Sequence, residues 1–110
     1  MTGYNAKKCR LTGVSEIKLL IASHIKPWGK CQTSFERLDG NNGLLLSPHV
    51  DRLFDRGYIS FSEDGSLLVS KQIQNDILIS WGIDPNLNVG MFLPEQETYL
   101  QFHRREVFKK

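Results

Sequence analysis

The residues of this 110-residue chain best suited to chemistry fall in order between positions 17 and 57. His24 follows the aliphatic run Ile17–Ser23 and precedes Ile25-Lys26-Pro27-Trp28. Asn42 opens Asn42-Gly43-Leu44-Leu45-Leu46, and Ser47-Pro48-His49-Val50-Asp51-Arg52-Leu53-Phe54-Asp55-Arg56-Gly57 follows at once. Imidazole titrates near neutrality, so a rigidly held histidine suits general-base work. Asp51 and Asp55 stand one helical turn apart, so on a helix they share a face and could jointly hold a divalent cation. Oxygen donors favour Mg²⁺ or Mn²⁺ over zinc. A plainer account exists for each residue. His24 could tie a loop to the backbone, Asn42-Gly43 is a common turn pair, and Asp51 and Asp55 could pair with Arg52 and Arg56 on an exposed helix.

These side chains need elements to position them. Ile17–Ser23 is rich in Leu and Ile and free of breakers, which predicts a buried strand ending at His24. Pro27 and Gly29 punctuate a loop. Lys30–Asn42 has little periodicity and predicts a long loop, a feature often tied to function. Gly43–Leu46 is a brief, strand-sized apolar run. Ser47 reads as an N-cap with Pro48 at the first helical position, so a helix should run from Pro48 to Arg56 and stop at Gly57. Tyr58–Ser62 and Leu67–Ser70 flank the turn Glu63-Asp64-Gly65 and predict a hairpin. Gln72–Trp81 predicts a helix with Ile73, Ile77 and Trp81 on one face. Asp84–Gly90 reads as a linker loop, and Pro94-Glu95 starts a last helix that reaches about Phe108. The class is α+β, in one domain over 1–110.

Composition narrows the function classes. Hydrophobic residues at 40% and charged residues at 24% exclude whole-chain disorder. No apolar run approaches the roughly 18–20 residues of a membrane span, and Met1–Lys8 has no apolar signal-peptide region, so a cytoplasmic protein without a membrane partner is expected. A net charge of +2 does not by itself establish a nucleic-acid partner. Basic residues cluster at Lys7, Lys8 and Arg10 and at Arg104, Arg105, Lys109 and Lys110, and such clusters are most often solvated surface. The two cysteines, Cys9 and Cys31, form no CxxC pair. Buried free thiols are expected there, and structural zinc is not.

The ordered set of motifs resembles the HNH endonuclease superfamily, in the branch with His-Ile-x-Pro-Trp, Asn-Gly-Leu-Leu-Leu and Leu-Phe-Asp-Arg-Gly. The similarity extends from Cys9-x-x-Thr12-Gly13 to Tyr99-Leu100-x-x-His103-Arg104-x-x-Val107-Phe108, nearly the whole chain. The resemblance implies a ββα-metal (His-Me finger) nuclease core with an extra β-hairpin and C-terminal helices. It implies a metal-dependent endonuclease that hydrolyses phosphodiester bonds in DNA, of the sort found in restriction or defence systems. The base position falls on His24. The middle asparagine falls on Asn42, with Asn41 one residue off, and its implied role is to pin the loop and orient the histidine.

The last motif position falls on Asp51, implied as a ligand of Mg²⁺ or Mn²⁺, with Asp55 beside it or fixing the loop. Two departures stand out. Ser23 replaces the acid or histidine that many relatives carry before the base, and Asp51 replaces the usual histidine, which leaves His49 as a further metal candidate. Lys26, Arg52, Arg56, Arg104 and Arg105 are candidate phosphate contacts. His103, flanked by Leu100 and Val107 at helical spacing, is expected to pack at the core's edge. The alternative is a non-catalytic nucleic-acid-binding module that keeps the fold; a zinc-stapled domain using Cys9, Cys31 and a histidine comes third. No target-reading element is recognisable, so site choice would come from a separate recognition domain or a homodimer, and the chain could be the catalytic domain of a longer protein.

Overall fold

The computed structural model describes residues 8–110, so Lys7 of the first basic cluster lies outside the described residues. Strand β1 (Ile21–His24) pairs antiparallel with β2 (Gly43–Leu46), in a register that sets Ser23 opposite Leu44 and His24 opposite Gly43. The intervening segment holds one short helix, α1 (Ser34–Leu38). Helix α2 (Pro48–Asp55) follows β2 and packs on β1. A second antiparallel pair, β3 (Ile59–Phe61) and β4 (Leu67–Val69), comes next. Then follow α3 (Asn75–Ser80), α4 (Pro94–Phe102) and a π-type turn, His103–Val107. The fold is thus α+β, with two small antiparallel sheets and four α-helices among the described residues. No described helix is long and apolar enough to cross a membrane.

One apolar cluster joins these pieces. Val50, Leu53 and Phe54 form the inner face of α2, and they meet Ile25, Leu46, Ile59 and Phe61 together with Leu78, Ile83, Phe92, Tyr99 and Leu100 from the second half of the chain. The helix start at Pro48 matches the sequence signal. Ser47, however, does not cap the helix with its side chain; its hydroxyl pairs with that of Thr12 at 2.7 Å. Gly57 ends the helix at φ +79, and a Cβ there would lie 2.1 Å from the Val107 carbonyl oxygen. Gly65 makes the hairpin turn at φ +91 against the backbone of Gly90.

Several elements differ from expectation. The strand expected over Ile17–Ser23 is a 3₁₀ turn at Ile17–Leu19 and a strand only from Ile21. Ile21 is exposed, because a two-stranded sheet has nothing to cover its outer face, and Ile17 and Leu19 are exposed in the turn that precedes it. The supposed long loop over Lys30–Asn42 contains α1, whose N-cap Thr33 accepts from the Glu36 N–H at 3.1 Å. The helix expected over Gln72–Trp81 is shorter, and it buries Leu78 rather than Ile77 or Trp81. Asp84–Gly90 does not act as a bare linker: Leu87 accepts from the Leu67 N–H and Val89 donates to the Gly65 carbonyl, extending the hairpin sheet. Cys9 and Cys31 are both buried and free.

His103 locks the last helix to α2. Its ring stacks on Phe54 with centroids 3.9 Å apart, its Nε2 donates to the Phe54 carbonyl at 2.9 Å, and its Nδ1 accepts from the Ser60 hydroxyl at 2.8 Å. This is the packing role the sequence suggests, carried out deep in the core rather than at its edge. Burial pushes the imidazole down from its ordinary 6.5 to about 4. The unfolded chain therefore takes up a proton near pH 6.5 that the native ring refuses until about pH 4. Stability contributed by the neutral ring is present above pH 6.5 and falls by up to about 3 kcal/mol as the pH drops through that window. Urea melts from pH 7.5 to 4.5 should show this decline, and His103→Leu, less stable at pH 7.5, should show a flatter one.

Candidate active site

His24 stands at the end of β1, half-buried, with Gly43 opposite it. Its Nε2 lies 2.9 Å from the Arg37 carbonyl oxygen. A carbonyl can only accept, so Nε2 carries the proton and donates. The neutral ring then has its lone pair on Nδ1, the nitrogen needed to take a proton from another molecule. Trp28 meets the same ring edge-on, with centroids 5.7 Å apart.

Asn42 is buried and joined on every side. Its Oδ1 accepts from the Lys26 N–H at 2.7 Å, and its Nδ2 donates to the carbonyls of Lys26 (3.2 Å) and Glu36 (3.1 Å) and lies 3.6 Å from Cys31 Sγ. Its backbone carbonyl accepts from the Ile25 N–H. The backbone immediately after His24 is therefore clamped to the residue that leads into β2. Asn41 has no such place; its N–H donates to the Asp39 carboxylate in an Asx turn.

A polar knot surrounds this clamp, and most of it escaped sequence reasoning. The Glu36 carboxylate accepts from the Gln32 N–H at 2.8 Å and pairs with Lys26 Nζ at 3.0 Å. The Gln32 hydrogen bond first and Lys26 second hold this carboxyl below its usual range. Tyr99 of α4 donates its hydroxyl to Asp39 at 2.7 Å. Burial, reinforced by Asp39, raises the phenol to about 12, so it stays a donor at every working pH. The readable signals were Thr33-x-x-Glu36, a helix-start pattern, and Asp39-x-Asn41, a turn pattern. Tyr99 lies far away in sequence and left no local trace.

On α2, Asp51 is half-buried and Asp55 exposed, one turn apart on the helix. Among the described residues neither carboxylate meets an ion-pair partner, so the expected pairing with Arg52 and Arg56 is not formed. His49 lies elsewhere. It sits two positions from Asp51, nearly across the helix, and its Nε2 lies 3.2 Å from the Trp81 carbonyl with the ring edge-on to Trp81. The structure thus does not bring His49 to the aspartates. Ser23 is buried and pairs in the sheet. Among the described residues no three His, Cys, Asp or Glu side chains gather as a metal-binding group. Two hard carboxylates with no ion-pair partner among the described residues remain compatible with Mg²⁺ or Mn²⁺, which commonly takes one or two protein oxygens and fills its sphere with water and phosphate.

The candidate phosphate contacts divide into committed and uncommitted cations. Lys26 is mostly buried, ion-paired to Glu36 and set over the Phe102 ring at 4.8 Å. Arg104 is bound to Glu97 and to the Phe61 carbonyl. Both hold the fold together. Arg105 is exposed beside Glu106, a weak surface pair. Arg52 and Arg56 are exposed and meet no acid among the described residues.

Residues 9–62 match the family model described as HNH endonuclease. That span runs from Cys9 through β1, β2 and α2 to just beyond β3. No curated protein matches the chain.

The Asn42 clamp gives a stability test. Asn42→Ala would strip the Lys26 N–H and the Glu36 carbonyl of these bonds and leave the Lys26 carbonyl only the Cys31 thiol, at a cost of about 2 kcal/mol. Chemical denaturation should show that loss, while Asn41→Ala should change stability by less than about 1 kcal/mol.

Proposed function

We propose that this chain, which belongs to the HNH endonuclease superfamily, is a metal-dependent endonuclease domain that hydrolyses phosphodiester bonds in DNA. It would act in the cytoplasm, within a restriction or defence system, as one domain. Strands β1 and β2 with helix α2 would form its ββα-metal core. The observation that carries this proposal is the hydrogen bond from His24 Nε2 to the Arg37 carbonyl, which leaves Nδ1 as the proton acceptor.

In the proposed reaction a water attacks phosphorus while Nδ1 of His24 takes its proton. The bond from phosphorus to the 3′ oxygen breaks, and solvent supplies a proton to that oxygen. HNH nucleases generally use divalent metal ions. Asp51 and Asp55 would hold Mg²⁺ or Mn²⁺ here, and the bound ion would neutralise charge on the phosphate. Asn42 would act without touching substrate, by fixing the backbone that follows the base. Arg52 and Arg56, exposed and without an acidic partner among the described residues, would meet DNA phosphates. Target choice would come from a separate recognition domain or from pairing of two copies.

A plasmid-nicking assay with Mg²⁺, Mn²⁺ or EDTA tests the activity. His24→Ala should lower turnover about 10²–10⁴-fold, the usual worth of a general base, with DNA affinity at low salt retained. Asp51→Ala should also lose activity, and raised Mn²⁺ should restore part of it but none of that lost in His24→Ala. Cleavage by His24→Ala at the wild-type rate would refute the assignment of the base.

DNA binding offers a separate check. Replacing both Arg52 and Arg56 by Ala should reduce the slope of log affinity against log salt by about two. Replacing Arg104 should instead lower stability, through loss of its bonds to Glu97 and Phe61. A melting curve beside a salt titration separates the two effects.

A further inference from the structure

Trp28 has a place that neither packing nor solvation accounts for. It opens a 3₁₀ turn three residues after Ile25 and is 57% exposed, so it is a poor core residue. Yet its ring meets two groups. It contacts the His24 imidazole at 5.7 Å between centroids, with the planes at 90°. The Arg37 guanidinium lies over it, with Cζ 5.4 Å from the ring centre. Arg37 returns the contact to His24, because its carbonyl accepts the Nε2 proton at 2.9 Å. The three residues close a ring of contacts.

Arg37 supplies a second, independent observation. Its Nη2 donates to the Cys31 carbonyl at 3.1 Å, but its Nε is buried and has no oxygen or nitrogen partner. The electron-rich face of Trp28 is the surface this guanidinium confronts, and a cation over an aromatic face is an attractive arrangement. Loss of that face would remove an attractive contact from a charged group that already holds one buried donor without an oxygen or nitrogen partner. The backbone that fixes His24 thus leans on Trp28. The imidazole also needs a neighbour: the torsion that spins a histidine ring is broad and nearly two-fold, so one hydrogen bond alone guards poorly against a flipped ring.

We propose that Trp28 is a positioning residue for His24, holding the imidazole directly by its ring edge and indirectly through Arg37, so that Nδ1 stays directed at the reacting water. The proposal rests on His24 being the base. Trp28 touches neither substrate nor metal in this scheme. Its loss misdirects the base without removing it, and small misplacements of a catalytic group cost up to about a hundredfold in rate.

The test uses the whole chain and the variants Trp28→Ala, Trp28→Phe and Trp28→Leu. Plasmid-nicking kinetics with Mn²⁺ should give a kcat for Trp28→Ala reduced about tenfold to a hundredfold with KM within about twofold. Trp28→Phe, which keeps an aromatic face, should recover most of the loss, and Trp28→Leu, which keeps bulk alone, should not. Long-range ¹H–¹⁵N spectra of the metal-free protein near pH 8 read the His24 tautomer without any need for activity. Wild type and Trp28→Phe should show the proton on Nε2, and Trp28→Ala and Trp28→Leu a mixture. If Trp28→Ala does not fold, the comparison of Trp28→Leu with Trp28→Phe decides. A raised KM with unchanged kcat would make Trp28 a DNA contact and overturn the proposal. So would a single Nε2-protonated form in a folded Trp28→Leu or Trp28→Ala. If wild type cuts no DNA, the proposed activity fails, and the spectra still decide whether Trp28 orients His24.

Discussion

The buried amide of Asn42 is the joint on which the candidate site depends. It receives one backbone N–H and gives two hydrogen bonds to carbonyls, all within the segment that leaves His24 and returns to β2. Without it the Lys26 N–H and the Glu36 carbonyl would lose these bonds in a half-buried setting, and the Lys26 carbonyl would keep only the Cys31 thiol. Those partners fix the path of residues 26–36, and the path in turn delivers the Arg37 carbonyl to His24. The tautomer of the imidazole is therefore set by a residue distant from it in sequence. From the far side, Tyr99 holds the Asp39 turn, so α4 braces the same loop. A pair of four-residue strands would be a poor platform by itself. This side-chain amide and the phenol behind it make it rigid.

Charge in the chain sorts by burial rather than by position along the sequence. Lys26 and Arg104 each sit beside a carboxylate and are largely withdrawn from water. Arg10 spans a gap of about eighty residues to reach the carbonyls of Gly90 and Met91 and lies over Phe92. These cations are structural. The small excess of positive charge is thereby left to side chains such as Arg52 and Arg56 on the outer face of α2, the helix that also carries Asp51 and Asp55. An exposed mixed-sign helix face of this kind presents both a cation pair and a carboxylate pair to whatever approaches it.

Local signals were legible in the sequence and long-range ones were not. The Ser47-Pro48 helix start, the Gly57 stop and the Asp64-Gly65 turn each arise from a few neighbouring residues, and each appears where the residue types require. Over Ile17–Ser23 apolar content does not report burial, because burial depends on a covering layer, which the outer face of this short sheet and the turn before it lack. Leu78 rather than Ile77 or Trp81 is buried for a related reason: in a helix this short, the register of the buried face is set by what it docks against. At the site, His24 and Asn42 stood out by motif. Glu36, Arg37, Asp39 and Tyr99 matter through a carbonyl, an ion pair and a phenol, and no spacing rule announces those.

The Phe54–His103 stack has a bearing on how far the site can be detached from the rest of the chain. The family match ends at residue 62, between the two strands of the hairpin. A peptide cut there would keep His24, Asn42, Asp51 and Asp55. It would lose the ring that covers Phe54, the phenol that braces Asp39, and Leu78, Phe92 and Leu100 from the shared core. Ile59 and Phe61 would become an unpaired strand with its apolar face open to water. The chemical signature and the cooperative folding unit are thus different lengths of polypeptide. Recombination that exchanges this nuclease signature between proteins would have to carry its helical C-terminal half along, or find in the recipient an equivalent surface to close over it.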